Sequence, residues 1–392
     1  MPLNIGVLYQ RIEQMAAELP EVETGRQWGE AQAFLRRVDP QSLRQKLRRR
    51  EHGAKIPWLV ARPVHTLASR FAAPSLPADW SVVAADGSSI PPDRHSPVRY
   101  YILNVGYAAL TYGSAPKAAL DSRAQVCFEP EALYFDPLGK RIPIAGTRLG
   151  IHMSVEEMVG LRAAAHLGTP PVVALCDGSL ILWNLQNEDT ELRQHYLGTF
   201  LSALDNLRQA GIPTASYISF PGSQDVVNSL RLMLCDVEAG GCVRCPQDTD
   251  ERKLCRFMNG VWDRQLFAGL LRPGERSDIF ESQSAILEQY REHRVQFFYL
   301  NVDGEISRVE APQWAMGDPD MLDLIHGALV DQCRRSGQYP PYPPVLIEAH
   351  EQAVISAPER EMVRALVEQA LAEKGALYVR SAKDRSKRGR GV

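Results

Sequence analysis

The chain has 392 residues, 45% hydrophobic and 23% charged, with 44 Lys+Arg against 47 Asp+Glu for a formal charge of −3. That balance excludes disordered, collagen-like and coiled-coil classes, and the length allows two domains or one large α/β domain with helical extensions. Apolar runs stop short of the ~18 residues of a membrane span, and the stretch MPLNIGVLYQRIEQMAAELPEVE has no basic start, apolar h-region or cleavage site, so a cytoplasmic protein with no membrane partner is predicted.

Residues 7 to about 70 read as helical, with Leu8, Ile12 and Met15 at three- and four-residue steps and Pro20, Pro40, Pro57 and Pro63 as punctuation. They predict a helical extension over 1–75, outside a core domain at 76–380. Within it Arg36, Arg37, Arg44, Lys46, Arg48, Arg49, Arg50 and Lys55 stand against only Asp39 and Glu51. Two readings of this run are open, a solvated helix face and a phosphate-binding arm or subunit contact centred on Arg48, Arg49 and Arg50.

From Asp79 the texture changes. DWSVVAADGSSI reads as a strand closing in a turn, and with VRYYILNVGYAAL and RAQVCFEP it predicts an antiparallel meander. MSVEEMVGLRAAAHLG is helical, PVVALCDGSLIL is a strand, TELRQHYLGTFLSALDNLRQAG is a helix ended by glycine, and IPTASYISF is a strand. The order βββαβαβ is that of an α/β domain with a mixed sheet. SQDVVNSLRLMLC predicts a helix leading into a cysteine-rich insertion at 235–255, and VWDRQLFAGLL a further helix. RVQFFYLNVDGEISRVEA predicts a hairpin around Asp303-Gly304. A helix at DPDMLDLIHGALVDQCRRSG, a strand-like run at PPVLIEAH and a helix over about 358–374 follow. The tail 381–392 is basic and reads as disordered.

Asp86-Gly87-Ser88 and Asp177-Gly178-Ser179 both follow apolar runs. Buried aspartates are costly unless they meet a cation, and adjacent strands would set both at one sheet edge, where carboxylate oxygens bind Mg²⁺ or Mn²⁺. Two such ions would stabilise both the attacking and the leaving oxygen of phosphodiester hydrolysis. On the intervening helix Met153, Glu157, Leu161, Ala164 and Ala165 share a face. Glu157 is therefore the preferred third ligand, with Glu156 as the alternative. Tyr342 and His350 bracket the last apolar run; the histidine suits metal binding, water activation or phosphate contact, and the tyrosine offers a surface on which a DNA base could stack.

The segments ADGS at 85–88, LCDGSLI at 175–181, LRPGERSDIF at 271–280, QFFYLNVDGEISRVEAPQW at 296–314 and YPPVLIEAHEQAVIS at 342–356 resemble the NurA nuclease family over about 80–360. The resemblance implies an RNase H-like core and a Mn²⁺-dependent 5′→3′ exonuclease with single-strand endonuclease activity on DNA. It also implies a homodimer that docks on a hexameric HerA ATPase in DNA end processing, hence a nucleoid-associated protein in repair or defence. Its two aspartates map onto Asp86 and Asp177, its tyrosine and histidine onto Tyr342 and His350, and its helical glutamate onto Glu157 or Glu156. Cys235, Cys242, Cys245 and Cys255 depart from the family pattern; four thiols with one CxxC suit either a tetrahedral Zn²⁺ site or an iron–sulfur cluster. A rival function is a non-catalytic DNA- or translocase-binding adaptor with a nuclease-like fold. Phosphoryl transfer on small molecules is a third, weakened because the chain has no GxxxxGK[ST] phosphate loop.

Overall fold

Strand-forming runs from all three thirds of the chain assemble one sheet. The structure, a computed structural model, describes residues 4–18, 24–51, 58–93, 96, 98–234 and 255–375. Three helices come first, α1 (Ile5–Glu18), α2 (Thr24–Arg37) and α3 (Pro40–Glu51), then two short strands, β1 (Ala61–Pro63) and β2 (Arg70–Phe71). The meander follows as β3 (Trp80–Ile90), β4 (Tyr101–Tyr112) and β5 (Lys117–Cys127), antiparallel throughout. After α4 (Pro130–Leu133) and a small ribbon of β6 (Tyr134–Phe135) and β7 (Ile142–Pro143) come α5 (Thr147–Ala164), β8 (Val172–Asp177), α6 (Thr190–Gln209) and β9 (Thr214–Ile218). β8 runs parallel to β3, and β9 parallel to β8. The order β5-β4-β3-β8-β9 is the RNase H-like arrangement expected of the α/β core.

The chain then widens the same sheet. Helices α7 (Asp225–Leu234) and α8 (Asp263–Ala268) precede β10 (Arg276–Ser277), β11 (Phe280–Ser282) and the hairpin of β12 (Val295–Val302) and β13 (Glu305–Pro312). β13 pairs with β9, and β12, β11 and β1 follow outward; with β10 and β2 the sheet has 11 strands among the described residues. Last come α9 (Gln313–Met316), α10 (Pro319–Arg335), α11 (Pro344–Ala353) and α12 (Ala357–Glu373). Helices cover both faces of the sheet. On one face α5 and α6 bury Met158, Leu161, Phe200 and Leu204 against Val83 and Ala174. On the other, α10 and α11 bury Ile325, Leu329, Val345 and Leu346 against Val82, Ala84 and Leu175. All eight residues of β12 are buried, as a doubly covered strand requires.

Several expectations change. The N-terminal segment is not helical to residue 70, because 61–63 and 70–71 are strands that pair with β11 and β10. Ala31, Leu35, Leu43 and Leu47 of α2 and α3 are buried with Phe267, Phe280 and Phe297, whereas α1 buries nothing. The first Asp-Gly-Ser is not a turn either: β3 runs through it to Ile90, laddered on β4, while β8 stops at Asp177. PPVLIEAH is helical rather than strand-like. Prolines open α11, and Val345, Leu346, Ala349 and Ala353 make one buried helical stripe.

The basic run is partly structural. Arg36 donates to the Gly269 carbonyl at 3.2 Å, Arg44 to those of Val64 and His65 at 3.0 Å, and Lys46 to that of Met233 at 3.2 Å. Arg48 is exposed; the side chains of Arg49, Arg50 and Lys55 lie outside the described residues, as do Cys235, Cys242, Cys245 and the tail at 381–392. Cys255 is described and half-buried. No helix among the described residues is long and apolar enough to cross a membrane.

Candidate active site

Strand register builds the site. Ala85 lies opposite Cys176 on parallel β3 and β8, so the next step outward sets Asp86 beside Asp177. Glu157 reaches them from α5, on the opposite face, and Gly87 makes room for it. A Cβ there would lie 2.6 Å from Glu157 Oε1 and 2.2 Å from Met153 Sδ, so the first Asp-Gly-Ser needs its glycine for close approach. In the second, Gly178 does take a left-handed turn at φ 75°.

Burial, then the charges of Asp86 and Asp177, pushes Glu157 up to about 8. Glu156 is raised more modestly by burial and faces elsewhere, into a 250 Å³ cavity shared with Tyr107, Arg123 and Arg162. The structure thus brings Glu157 to the aspartates and leaves Glu156 apart.

Two side chains from the α10–α11 connection and α11 complete the cluster. The Tyr342 hydroxyl donates to Asp177 Oδ1 at 2.7 Å, and its ring packs edge-on against Tyr217 at 5.4 Å. Burial, then Asp177, raises its pKa far above the ordinary phenol value, which keeps it a neutral donor. His350 Nδ1 lies 2.6 Å from Asp86 Oδ2, with the histidine side chain 62% exposed and the aspartate 21%.

Residues the sequence reading passed over hold these groups in place. Gly106 sits opposite Asp86 in the β3–β4 register. A Cβ on it would fall 2.3 Å from the Ala353 nitrogen, so the glycine lets α11 lie on the sheet and His350 reach Asp86. Asn104 donates to the carbonyls of Gln352 and Ala353 at 3.1 and 2.9 Å, capping that helix. The loop after Asp177 is held by buried Glu310, which accepts from Ser179 Oγ at 2.8 Å and the Leu180 amide at 3.0 Å. Arg308 holds Glu310 and Asp225, each at 2.9 Å. A glycine inside a strand and an acid inside an apolar hairpin were the available signals.

Three carboxylates at the cluster are hard oxygen donors suited to Mg²⁺ or Mn²⁺, with the His350 imidazole beside them. A second acid–histidine group lies at Asp205, Glu292 and His293, with ligand atoms within 4.8 Å of one another. Both His293 nitrogens are engaged there. Trp314 donates to Nδ1 at 3.0 Å, which puts the ring hydrogen on Nε2, 2.9 Å from Asp205. That geometry is a satisfied buried histidine with no lone pair for a cation.

Fold and site together define an RNase H-like α/β protein with a carboxylate cluster where its central parallel strands meet. The NurA domain family model matches residues 81–355, and the chain belongs to that family. Among solved structures, the crystal structure of the NurA nuclease from Sulfolobus solfataricus aligns with a TM-score of 0.45 and 13% identity, covering 92% of this chain and 98% of that one. Among curated proteins no sequence matches.

Proposed function

We propose that the protein is a divalent-metal-dependent deoxyribonuclease. The observation that carries this reading is Glu157, a half-buried carboxyl whose proton is held by burial and by the charges of two aspartates. Like charges gathered in a low-dielectric setting repel unless a cation joins them. Asp86, Asp177 and Glu157 would hold Mn²⁺ or Mg²⁺; such an ion activates water at neutral pH and stabilises the charge on the transferred phosphate. Tyr342 fixes the orientation of Asp177 through its hydroxyl. His350, bonded to Asp86 and open to solvent, is placed to move a proton at the attacking or leaving oxygen. Membership of the NurA family favours the finer reading, a 5′→3′ exonuclease with single-strand endonuclease activity that works as a homodimer with a HerA-type hexameric ATPase.

Labelled single- and double-stranded DNA incubated with Mn²⁺, Mg²⁺ or EDTA tests the reading. Cleavage with either ion and none in EDTA is expected. DNA binding without cleavage under every ion would favour the adaptor instead.

A further inference from the structure

Phe220 has three features that do not normally coincide in one residue. Its backbone is left-handed at φ 44°, a conformation that strains a bulky side chain. Its side chain recovers nothing by burial, because the residue is 66% exposed. Yet its surroundings hold it. The Arg264 guanidinium lies over the ring at 4.0 Å and over Trp262 at 5.0 Å. Arg264 also donates to the Pro221 carbonyl at 2.7 Å, while Gln224 reaches the Val261 carbonyl at 2.7 Å and the Asp263 amide bonds the Ser223 carbonyl at 3.0 Å. Strain kept on an exposed aromatic by an over-determined loop points to a ligand.

The position of the ring says which ligand. β9 leaves the sheet on the same edge as β8, and Tyr217 is the register partner of Asp177. Phe220 is three residues further along the chain, just past the end of β9 at Ile218. A 460 Å³ cavity takes its walls from both loops, Ser179 and Trp183 from the one after Asp177 and Ile218, Pro221 and Gly222 from the chain on either side of Phe220, with Trp58 beside them. Arg231 lies 5.5 Å over Trp58. Aromatic faces backed by guanidinium groups, around a cavity that Ser179 lines two residues past Asp177, match the way proteins hold unpaired nucleic acid: bases stack on rings while cations track the backbone.

We propose that Phe220, backed by Arg264, is a stacking platform for a base of single-stranded DNA next to the phosphate being cut, with the Trp58–Trp183 cavity receiving the neighbouring nucleotide. The proposal rests on the nuclease reading of the Asp86–Asp177 site. It makes single-stranded or frayed ends the favoured substrate, because a paired base presents no free face to Phe220.

The test uses the full-length protein in EDTA and a short single-stranded oligonucleotide carrying 2-aminopurine, whose fluorescence falls on stacking. Wild type should quench the probe. Phe220→Ala should abolish the quench and weaken binding by roughly 5- to 150-fold, the range that base–aromatic stacking supplies, and Phe220→Tyr should retain both. Phe220→Gly relieves the left-handed backbone, so it should lose the quench while melting no lower than wild type. Wild-type affinity and quenching in Phe220→Ala would overturn the platform, as would a lowered melting temperature in Phe220→Gly, which would make the ring a packing element. Metal-dependent cleavage by the wild type is assayed in parallel. If it is present while Phe220→Ala binds normally, only the platform falls; if it is absent, the nuclease reading and the platform fall together.

Discussion

Asp86 and Asp177 each receive one hydrogen bond from a side chain of the α10–α11 region, and those bonds separate the charge of each carboxylate from its orientation. Asp86→Asn or Asp177→Asn keeps the volume and removes the charge, so DNA cleavage with Mn²⁺ should fall roughly a thousandfold, the several kcal/mol that metal-ion stabilisation supplies. Tyr342→Phe keeps the ring on Tyr217 and deletes only the hydroxyl that aligns Asp177. A loss of about 10- to 100-fold in Mn²⁺ affinity or cleavage is expected, which isothermal titration and single-turnover assays would read. Glu157→Gln removes a carboxyl that burial and two neighbouring aspartates disfavour. The metal-free variant should melt no lower than wild type, while added Mn²⁺ should raise the melting temperature of the wild type alone. The aspartates and Glu157 were legible because a repeated tripeptide and a helical stripe are local patterns. The tyrosine was legible only as a candidate; its bond to an aspartate 165 positions away in the chain has no local signature.

Elements carry the next layer of control. Gly106→Ala would drive a methyl group into the backbone of α11, so the helix must shift and take His350 from Asp86. Both melting temperature and cleavage should drop, whereas Ala substitution at exposed Gly150, where a Cβ meets nothing within 4 Å, should do neither. α10 offers a pH test away from the site. Burial pushes His326 down to about 4, and its Nε2 bonds the Gly274 carbonyl at 2.9 Å. The unfolded chain therefore takes up this proton first, near 6.5, so stability is complete above that value and falls as pH drops toward 4, by up to about 3 kcal/mol. His326→Gln should flatten the acid limb of a stability–pH curve measured in urea. The βββαβαβ order was readable from runs of apolar and β-branched residues. The helix at Pro344–Ala353 was missed because VLIEA is as apolar as a strand; its opening prolines and the stripe of Val345, Leu346, Ala349 and Ala353 mark it as helical, and Gly106 lets it lie close on the sheet.

On the scale of the whole molecule, a charge of −3 gives DNA no general attraction, so binding depends on local cations. Arg36, Arg44 and Lys46 are committed to backbone carbonyls, which leaves Arg37, Lys55 and the consecutive trio Arg48, Arg49 and Arg50 as the candidates in the basic run. Replacing these three with Gln should weaken single-strand binding and flatten its salt dependence by roughly 0.7 in slope for each phosphate no longer neutralised, with Mn²⁺ binding unchanged; an unaltered slope would make the run a solvated face. The unequal lengths of β3 and β8 have a dynamic corollary. Asp86 belongs to a ladder that continues four residues past it to Ile90, whereas the segment after Asp177 hangs from Glu310 and the Tyr290 hydroxyl. Amide hydrogens around Asp86 should exchange only when the sheet opens, and those of Ser179 to Leu182 through smaller local excursions. One jaw of the site is then stiff and the other compliant, so the change in spacing as a bound phosphodiester is cut and its two ends part would be taken up on the Asp177 side.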